Sequence, residues 1–167
     1  LNDKCHPQIY AVGVKEIWKA SREIRPGLVY HTLGYPLKTR EFGGGFIYTM
    51  SDNLVDLGLV VGLDYKNPSL DVHKLLQRFK CHPFVRELLD GAKILSYGAK
   101  AIPEGGYYSM PRLYADGLLI VGDAGGFLNA QRLKGIHLAV KSGMLAAETI
   151  FEALLHKNYC RDESHQD

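Results

Sequence analysis

Long apolar runs are missing from this chain of 167 residues. No stretch of about 18 apolar residues occurs, so no segment reads as a membrane-spanning helix. Cysteine is scarce: Cys5, Cys81 and Cys160 lie far apart, with no Cys-x-x-Cys. The chain therefore carries no zinc or iron–sulfur ligand set of its own. The odd number and wide spacing point to a reducing compartment. An excess of one charge is missing too, with 20 Lys and Arg against 18 Asp and Glu for a net charge of +2. That balance argues against nucleic-acid binding through a basic surface. His31, His73 and His137 each stand without a second ligand at metal spacing and read as structural or solvated side chains. No serine has the context of a nucleophile elbow. The opening residues Leu1-Asn2-Asp3-Lys4 do not read as a signal peptide. With 46% hydrophobic and 23% charged residues, the chain reads as a globular protein.

Glycine is in excess: 18 residues, about 11% against about 7% in an average chain. It clusters at Gly43-Gly44-Gly45, at Gly105-Gly106 and between Gly122 and Gly126. Such clusters mark tight turns or places where a ligand meets the backbone.

The apolar pattern predicts the elements. Residues 8–19 read as a strand. Residues 28–37 form an apolar and aromatic segment ending near Pro36. Residues 42–50 and 54–63 read as a hairpin around Asp52-Asn53. The run 54–63 is apolar at nearly every position, which predicts cover on both faces. A helix starts at Pro68-Ser69, with Val72, Leu75, Leu76 and Phe79 on one stripe. Pro83 opens a second short helix, lined by Phe84, Val85, Leu88 and Leu89, and Gly91 closes it. Residues 92–102 return as a strand, and 103–111 form a loop.

The character then changes. Leu118-Leu119-Ile120-Val121 reads as a buried parallel strand ending in Gly122-Asp123. A long helix runs from Gly135 to about Leu155, with Ile136, Ala139, Val140, Gly143, Ala147, Ile150, Phe151 and Leu154 as a buried stripe. Residues 157–167 are polar and read as a disordered tail.

Two motifs each have two readings. Asp123, at the carboxyl edge of its strand, suits the hydroxyls of a ribityl or ribose chain. Gly135 lets an anionic group approach the positive end of the helix, where a flavin's pyrimidine edge fits. The competing reading is an ordinary strand–turn–helix with Asp123 as a turn residue. Gly43-Gly44-Gly45 beside Phe42, Phe46 and Tyr48 suits a flat aromatic ligand, whose carbonyl oxygen the amides would bond. The competing reading is a β-bulge or a strongly twisted strand.

Several stretches together carry a resemblance. They are residues 9–18 (IYAVGVKEIW), 31–37 (HTLGYPL), 43–48 (GGGFIY), 59–65 (LVVGLDY), 77–80 (QRFK), 102–113 (IPEGGYYSMPRL) and 122–143 (GDAGGFLNAQRLKGIHLAVKSG). In this order and spacing they resemble the electron-transfer flavoprotein–ubiquinone oxidoreductase family over nearly all of residues 7–155. The family is larger than this chain, which looks like an internal fragment or a truncated gene product. The implied fold class is α/β (α+β): a quinone-binding antiparallel sheet with helices, plus the C-terminal strand–helix return of an FAD-binding Rossmann-like domain. The implied boundaries are 1–115 for a partial ubiquinone-binding domain, 116–156 for the FAD-domain return and 157–167 for the tail.

The resemblance implies electron transfer from reduced electron-transfer flavoprotein, through FAD and a [4Fe-4S] cluster, to ubiquinone. The cluster ligands are not in this sequence. Gly43 and Gly44 match the family's ubiquinone headgroup site, and Gly122, Asp123 and Gly135 its flavin site. No catalytic acid–base pair is implied here, because the protein's task is to place and tune carriers. The resemblance further implies peripheral membrane contact, with Phe42, Phe46, Ile47 and Tyr48 near the quinone's path, or alternatively in the core. The location is the cytoplasmic face of a bacterial inner membrane or the matrix face of the mitochondrial one. Ile136 and Pro103 depart from the threonine and asparagine of animal members, so those two side-chain contacts do not carry over. Two other readings stand beside this one: a FAD-dependent enzyme of the FixC or geranylgeranyl-reductase type, and a remnant without activity.

Overall fold

The computed structural model describes residues 6–132 and 134–156. The expected tail, 157–167, lies outside them. The chain divides into two compact units. One is Tyr10–Ile102; the other joins the residues up to Ile9 with those from Pro103 onward. The sequence predicts a division at 115/116.

The first unit is a five-stranded sheet in the order β2-β3-β4-β1-β5. Its strands are β1 (Tyr10–Lys19), β2 (Val29–Thr32), β3 (Gly43–Met50), β4 (Leu54–Gly62) and β5 (Lys93–Pro103). The ladders β2–β3, β3–β4 and β4–β1 are antiparallel. The expected hairpin is β3–β4, with Met50 opposite Leu54. It turns through Asp52 and Asn53 at φ 59° and 55°, a conformation that Asp and Asn tolerate.

Period-two burial sets the core. Val55, Leu57, Leu59 and Val61 of β4 are fully buried together with Ile47 of β3. They meet Leu75, Leu76 and Phe79 of helix α1 (Val72–Lys80) and Val85 of helix α2 (Pro83–Leu88). Helices thus cover one face of β4. On the other face the Phe46 ring lies over Gly58, while Leu54, Asp56 and Val60 stay partly exposed, so that face is covered only in part. Helix α1 begins later than expected because Asp71 caps it: its Oδ1 accepts from the Lys74 N–H at 3.1 Å. Pro83 occupies the first turn of α2. Ile47 belongs to the core, whereas Phe42 is exposed.

A buried ion pair ties α1 to the sheet. Glu16 of β1 is 3% exposed. Its carboxylate accepts from Lys80 Nζ at 3.0 and 2.7 Å and from Trp18 Nε1 at 2.8 Å. Lys80 Nζ also lies 5.0 Å from the Trp18 ring centroid.

The second unit has a two-residue antiparallel ribbon, β6 (Tyr114–Ala115) with β7 (Leu118–Leu119). A 3₁₀ turn at Gly122–Gly125 follows, then helix α3 (Ile136–His156). Two expectations are corrected here. The run 118–121 is not a buried parallel strand: β7 pairs antiparallel with β6, and Leu118 and Leu119 are exposed. The apolar stripe of α3 is not buried either. Ile136, Val140, Ile150, Phe151 and Leu154 are exposed, and Ser142 is the buried residue of the helix. An apolar stripe records which face a helix offers; burial requires something packed on it, and no described residue covers this one.

Candidate functional site

Gly43 and Gly44 sit at the start of β3. Gly43 adopts φ +149°, and a Cβ there would stand 2.1 Å from the Val60 carbonyl oxygen. A Cβ at Gly44 would stand 2.5 Å from the Thr32 carbonyl oxygen. Close strand approach therefore accounts for both glycines. A second feature belongs to the same place. Strand β2 ends at Thr32, opposite Gly45, so the ladder on that side of β3 stops short of Gly44 and Gly43. The Thr32 hydroxyl is buried there with no hydrogen-bond partner among the described residues. Leu33 and Phe42 beside it are exposed, Leu33 by 88%.

Gly122, Asp123 and Gly135 are brought together in the second unit. Gly122, at φ +66°, donates its N–H to Ser142 Oγ at 2.9 Å, and that hydroxyl donates to the Ala139 carbonyl at 2.8 Å. This pins the 3₁₀ turn to the second turn of α3. A Cβ on Gly135 would stand 2.9 Å from Leu128 Cδ1 and 3.3 Å from Asp123 Oδ1. The Asp123 carboxylate thus lies at the start of α3, where the helix dipole favours negative charge.

An open cleft of about 1060 Å³ is cut into the same unit. Residues 104–108 and 126–131 line it, with Met110, Leu113 and Leu138. Leu128, which packs against Gly135, is among the lining residues, whereas Gly122, Asp123 and Gly135 themselves are not. Its first wall is held by the N-terminal segment. The Glu104 N–H donates to the Ile9 carbonyl at 2.7 Å, the Gly105 N–H to Gln8 Oε1 at 2.7 Å, and Ser109 Oγ to the Pro7 carbonyl at 3.0 Å. Glu104 Oε2 is buried with no hydrogen-bond partner among the described residues. Burial pushes the Glu104 carboxyl above the usual range.

Sequence reasoning missed Glu104, Gln8 and Ser142. Gln8 meets the Gly105 N–H, and Ile9 the Glu104 N–H, from the far end of the sequence, and nothing local signals those contacts. Ser142 carries a weak signal, as a lone hydroxyl inside an apolar helix. Among the described residues no group of three or more His, Cys, Asp or Glu is placed to hold a metal. No helix among them is long and apolar enough to cross a membrane.

Solved structures give the fold class. A geranylgeranyl bacteriochlorophyll reductase-like protein from Thermoplasma acidophilum matches with a TM-score of 0.72 at 18% identity, covering 96% of this chain and 37% of its own. The flavin-dependent brominase Bmp2 matches at 0.60 and 20% identity, covering 89% of this chain and 38% of its own. These likenesses define a mixed α/β protein with the sheet-and-helix fold of such enzymes, and the fold alone. The family follows from sequence. The model described as "ETF-QO, ubiquinone-binding" matches residues 10–102, the span of the first compact unit, and the chain belongs to that family. The human protein named "Electron transfer flavoprotein-ubiquinone oxidoreductase, mitochondrial" is 47% identical over 161 residues, covering 95% of this chain and 26% of its own. The protein of that name from Dictyostelium discoideum is 47% identical over 156 residues, covering 93% and 26%. The chain thus spans about a quarter of the length of the curated relatives it matches.

Proposed function

We propose that this chain is part of a flavoprotein that takes electrons from reduced electron-transfer flavoprotein and passes them to ubiquinone. One observation carries the reading: the compact unit Tyr10–Ile102 coincides with the span of the ubiquinone-binding family model. Gly43 and Gly44 contact the quinone headgroup in this reading. In support, β2 stops before them and leaves their edge of β3 outside the ladder. The Thr32 hydroxyl, without a partner among the described residues, lies against Gly45, the next residue of β3. The exposed Leu33 and Phe42 face a membrane surface in the whole protein.

FAD is the cofactor in this reading. The open cleft of the same unit has the volume of a ligand site, and Leu128, one of its lining residues, packs against Gly135. Gly122 and Gly135 let the ligand approach the backbone, and Asp123 accepts from its hydroxyls. The bound flavin supplies reversible electron storage. A [4Fe-4S] cluster belongs to the whole protein, with ligands outside this sequence. The location is the matrix face of the mitochondrial inner membrane or the cytoplasmic face of a bacterial one.

The test is photoaffinity labelling of the full-length protein with an azido-ubiquinone, followed by peptide mapping. Labels within residues 29–48, displaced by ubiquinone, are expected. Displaceable labels confined to peptides outside this segment would refute the quinone assignment. Labelling suits these glycines better than substitution, because an added Cβ collides with backbone.

A further inference from the structure

We infer that Tyr35 is a positioning residue for the quinone edge: its hydroxyl ties the segment that frames Gly43 and Gly44 to the end of helix α1. The inference rests on the quinone reading above. Residues 33–42 leave β2 after Thr32 and return to β3 at Gly43. On the way they pack against the two glycines. Leu33 Cδ2 lies 3.3 Å from the place of a Gly44 Cβ, and Leu37 Cδ1 lies 2.9 Å from that of a Gly43 Cβ. The placing of this segment therefore decides how much of the edge is open.

Few contacts hold it. The Leu37 N–H donates to the Gly34 carbonyl at 2.8 Å, the Lys38 N–H to Glu41 Oε2 at 2.8 Å and the Glu41 N–H to the Lys38 carbonyl at 2.9 Å. These bonds all stay within the segment. Leu37 is buried, but Leu33 and Tyr35 are exposed. The Tyr35 hydroxyl reaches outward and donates to the Arg78 carbonyl at 3.0 Å. Among the described residues this is the one hydrogen bond from residues 33–41 to another part of the chain. Arg78 lies in the last turn of α1, where carbonyls lack a helical partner. Its oxygen also accepts from the Cys81 N–H at 2.9 Å.

The anchor is itself fixed. Phe79 Cζ lies 2.7 Å from the place of a Gly45 Cβ, and Lys80 Nζ holds Glu16 of β1. Consecutive residues of α1, Arg78, Phe79 and Lys80, thus meet the segment, β3 and β1 in turn. Their alignment passes the position of the sheet on to the segment. A wall fixed before a ligand arrives costs less to order on binding than a mobile one. Without the hydroxyl the binding arrangement is populated for part of the time, and the apparent affinity falls by that fraction.

Tyr35→Phe in the full-length protein tests this. The ring stays, and with it the contact to His82, whose ring centroid lies 5.9 Å away. The KM for ubiquinone is expected to rise about fivefold, the weight of one net hydrogen bond, with kcat unchanged. Amide hydrogen exchange of residues 33–42 is expected to quicken in the quinone-free variant. Leu33→Ala removes a side chain packed on Gly44 and should also raise the KM. Native exchange in Tyr35→Phe overturns the inference. So does a lowered melting temperature with the KM unchanged, the mark of a hydroxyl that only stabilises the fold. The quinone reading fails in a different way: ubiquinone protects no amide of residues 29–48 in the native protein, and Leu33→Ala keeps the native KM. That result sinks the role of Tyr35 along with the reading. Protection of those amides, with a native KM in Tyr35→Phe, sinks Tyr35 alone.

Discussion

Replacing Lys80 with methionine isolates what the ion pair beneath α1 contributes. Methionine keeps most of the stem and removes the charge. Glu16 would then hold a carboxylate that is 3% exposed with one remaining donor, Trp18 Nε1 at 2.8 Å. Breaking a buried pair from one side costs about 3–5 kcal/mol, because the partner charge stays buried without compensation. Loss of the ammonium over the Trp18 indole adds to this by about 0.5–1 kcal/mol. Against a total stability of about 5–15 kcal/mol, the variant should unfold at a much lower urea concentration. The midpoint should drop by about 2 M for an ordinary urea slope. Trp18 is the one tryptophan in the sequence, so its fluorescence reports unfolding at the site itself. The double variant Glu16→Leu/Lys80→Met should recover most of the loss, since an apolar pair of similar volume is often as stable as a buried ion pair. A drop below about 1 kcal/mol in Lys80→Met would refute the reasoning. It would mean that water or a relaxed side chain reaches Glu16.

Further outcomes follow from four other sites. The Asp71 carboxyl is held below its usual range first by the hydrogen bond from the Lys74 N–H. Its contribution is therefore complete above the ordinary aspartate value and lost as pH falls through the lower folded-state value. Asp71→Asn should keep the cap and flatten that acid loss, while Asp71→Ala should lose the cap at every pH, as measured by thermal melts from pH 2 to 7. Glu104 has the opposite sign: its folded-state value is raised by burial. Its stabilising share is present below the ordinary glutamate value and disappears as pH rises through the folded-state value. Glu104→Gln should thus melt higher than the native protein near neutral pH and no higher at acid pH. Gly43→Ala should abolish the folded sheet by circular dichroism, because its Cβ would meet the Val60 carbonyl at 2.1 Å. Gly98→Ala meets nothing within 4 Å and should leave stability within about 0.5 kcal/mol of the native protein.

The features legible in the sequence are those that local pattern dictates. The β3–β4 hairpin announces itself through Asp52-Asn53 between two apolar runs, and α2 through Pro83. The core face of α1 follows from the spacing of Leu75, Leu76 and Phe79, although its first residue does not. Pro68-Ser69 looked like a start, and the cap that forms is Asp71. The run 118–121 and the stripe of α3 were legible as apolar surfaces and misjudged as buried. Composition tells what a surface prefers, not whether anything packs on it. Gly122, Asp123 and Gly135 were found as a group because strand-end and helix-start chemistry is local. Glu104 was not, because its environment is assembled by Gln8 and Ile9 from the far end of the chain. The Glu16–Lys80 pair was invisible for the same reason.

The hydrogen bond from the Glu104 N–H to the Ile9 carbonyl has a consequence for the order in which the protein forms. It joins two strands of backbone between which the whole of residues 10–103 intervenes. Closing so long a disordered loop costs about 4 kcal/mol in chain entropy, more than one backbone bond returns. Strands β1 and β5 are neighbours in the sheet, so a formed sheet draws its first and last residues together in advance. The clasp of the N-terminal segment on residues 104–109 then closes at little entropic cost. The sheet should therefore fold first and act as the template, with the cleft wall one of the last parts of the molecule to take shape and the first to open under denaturant.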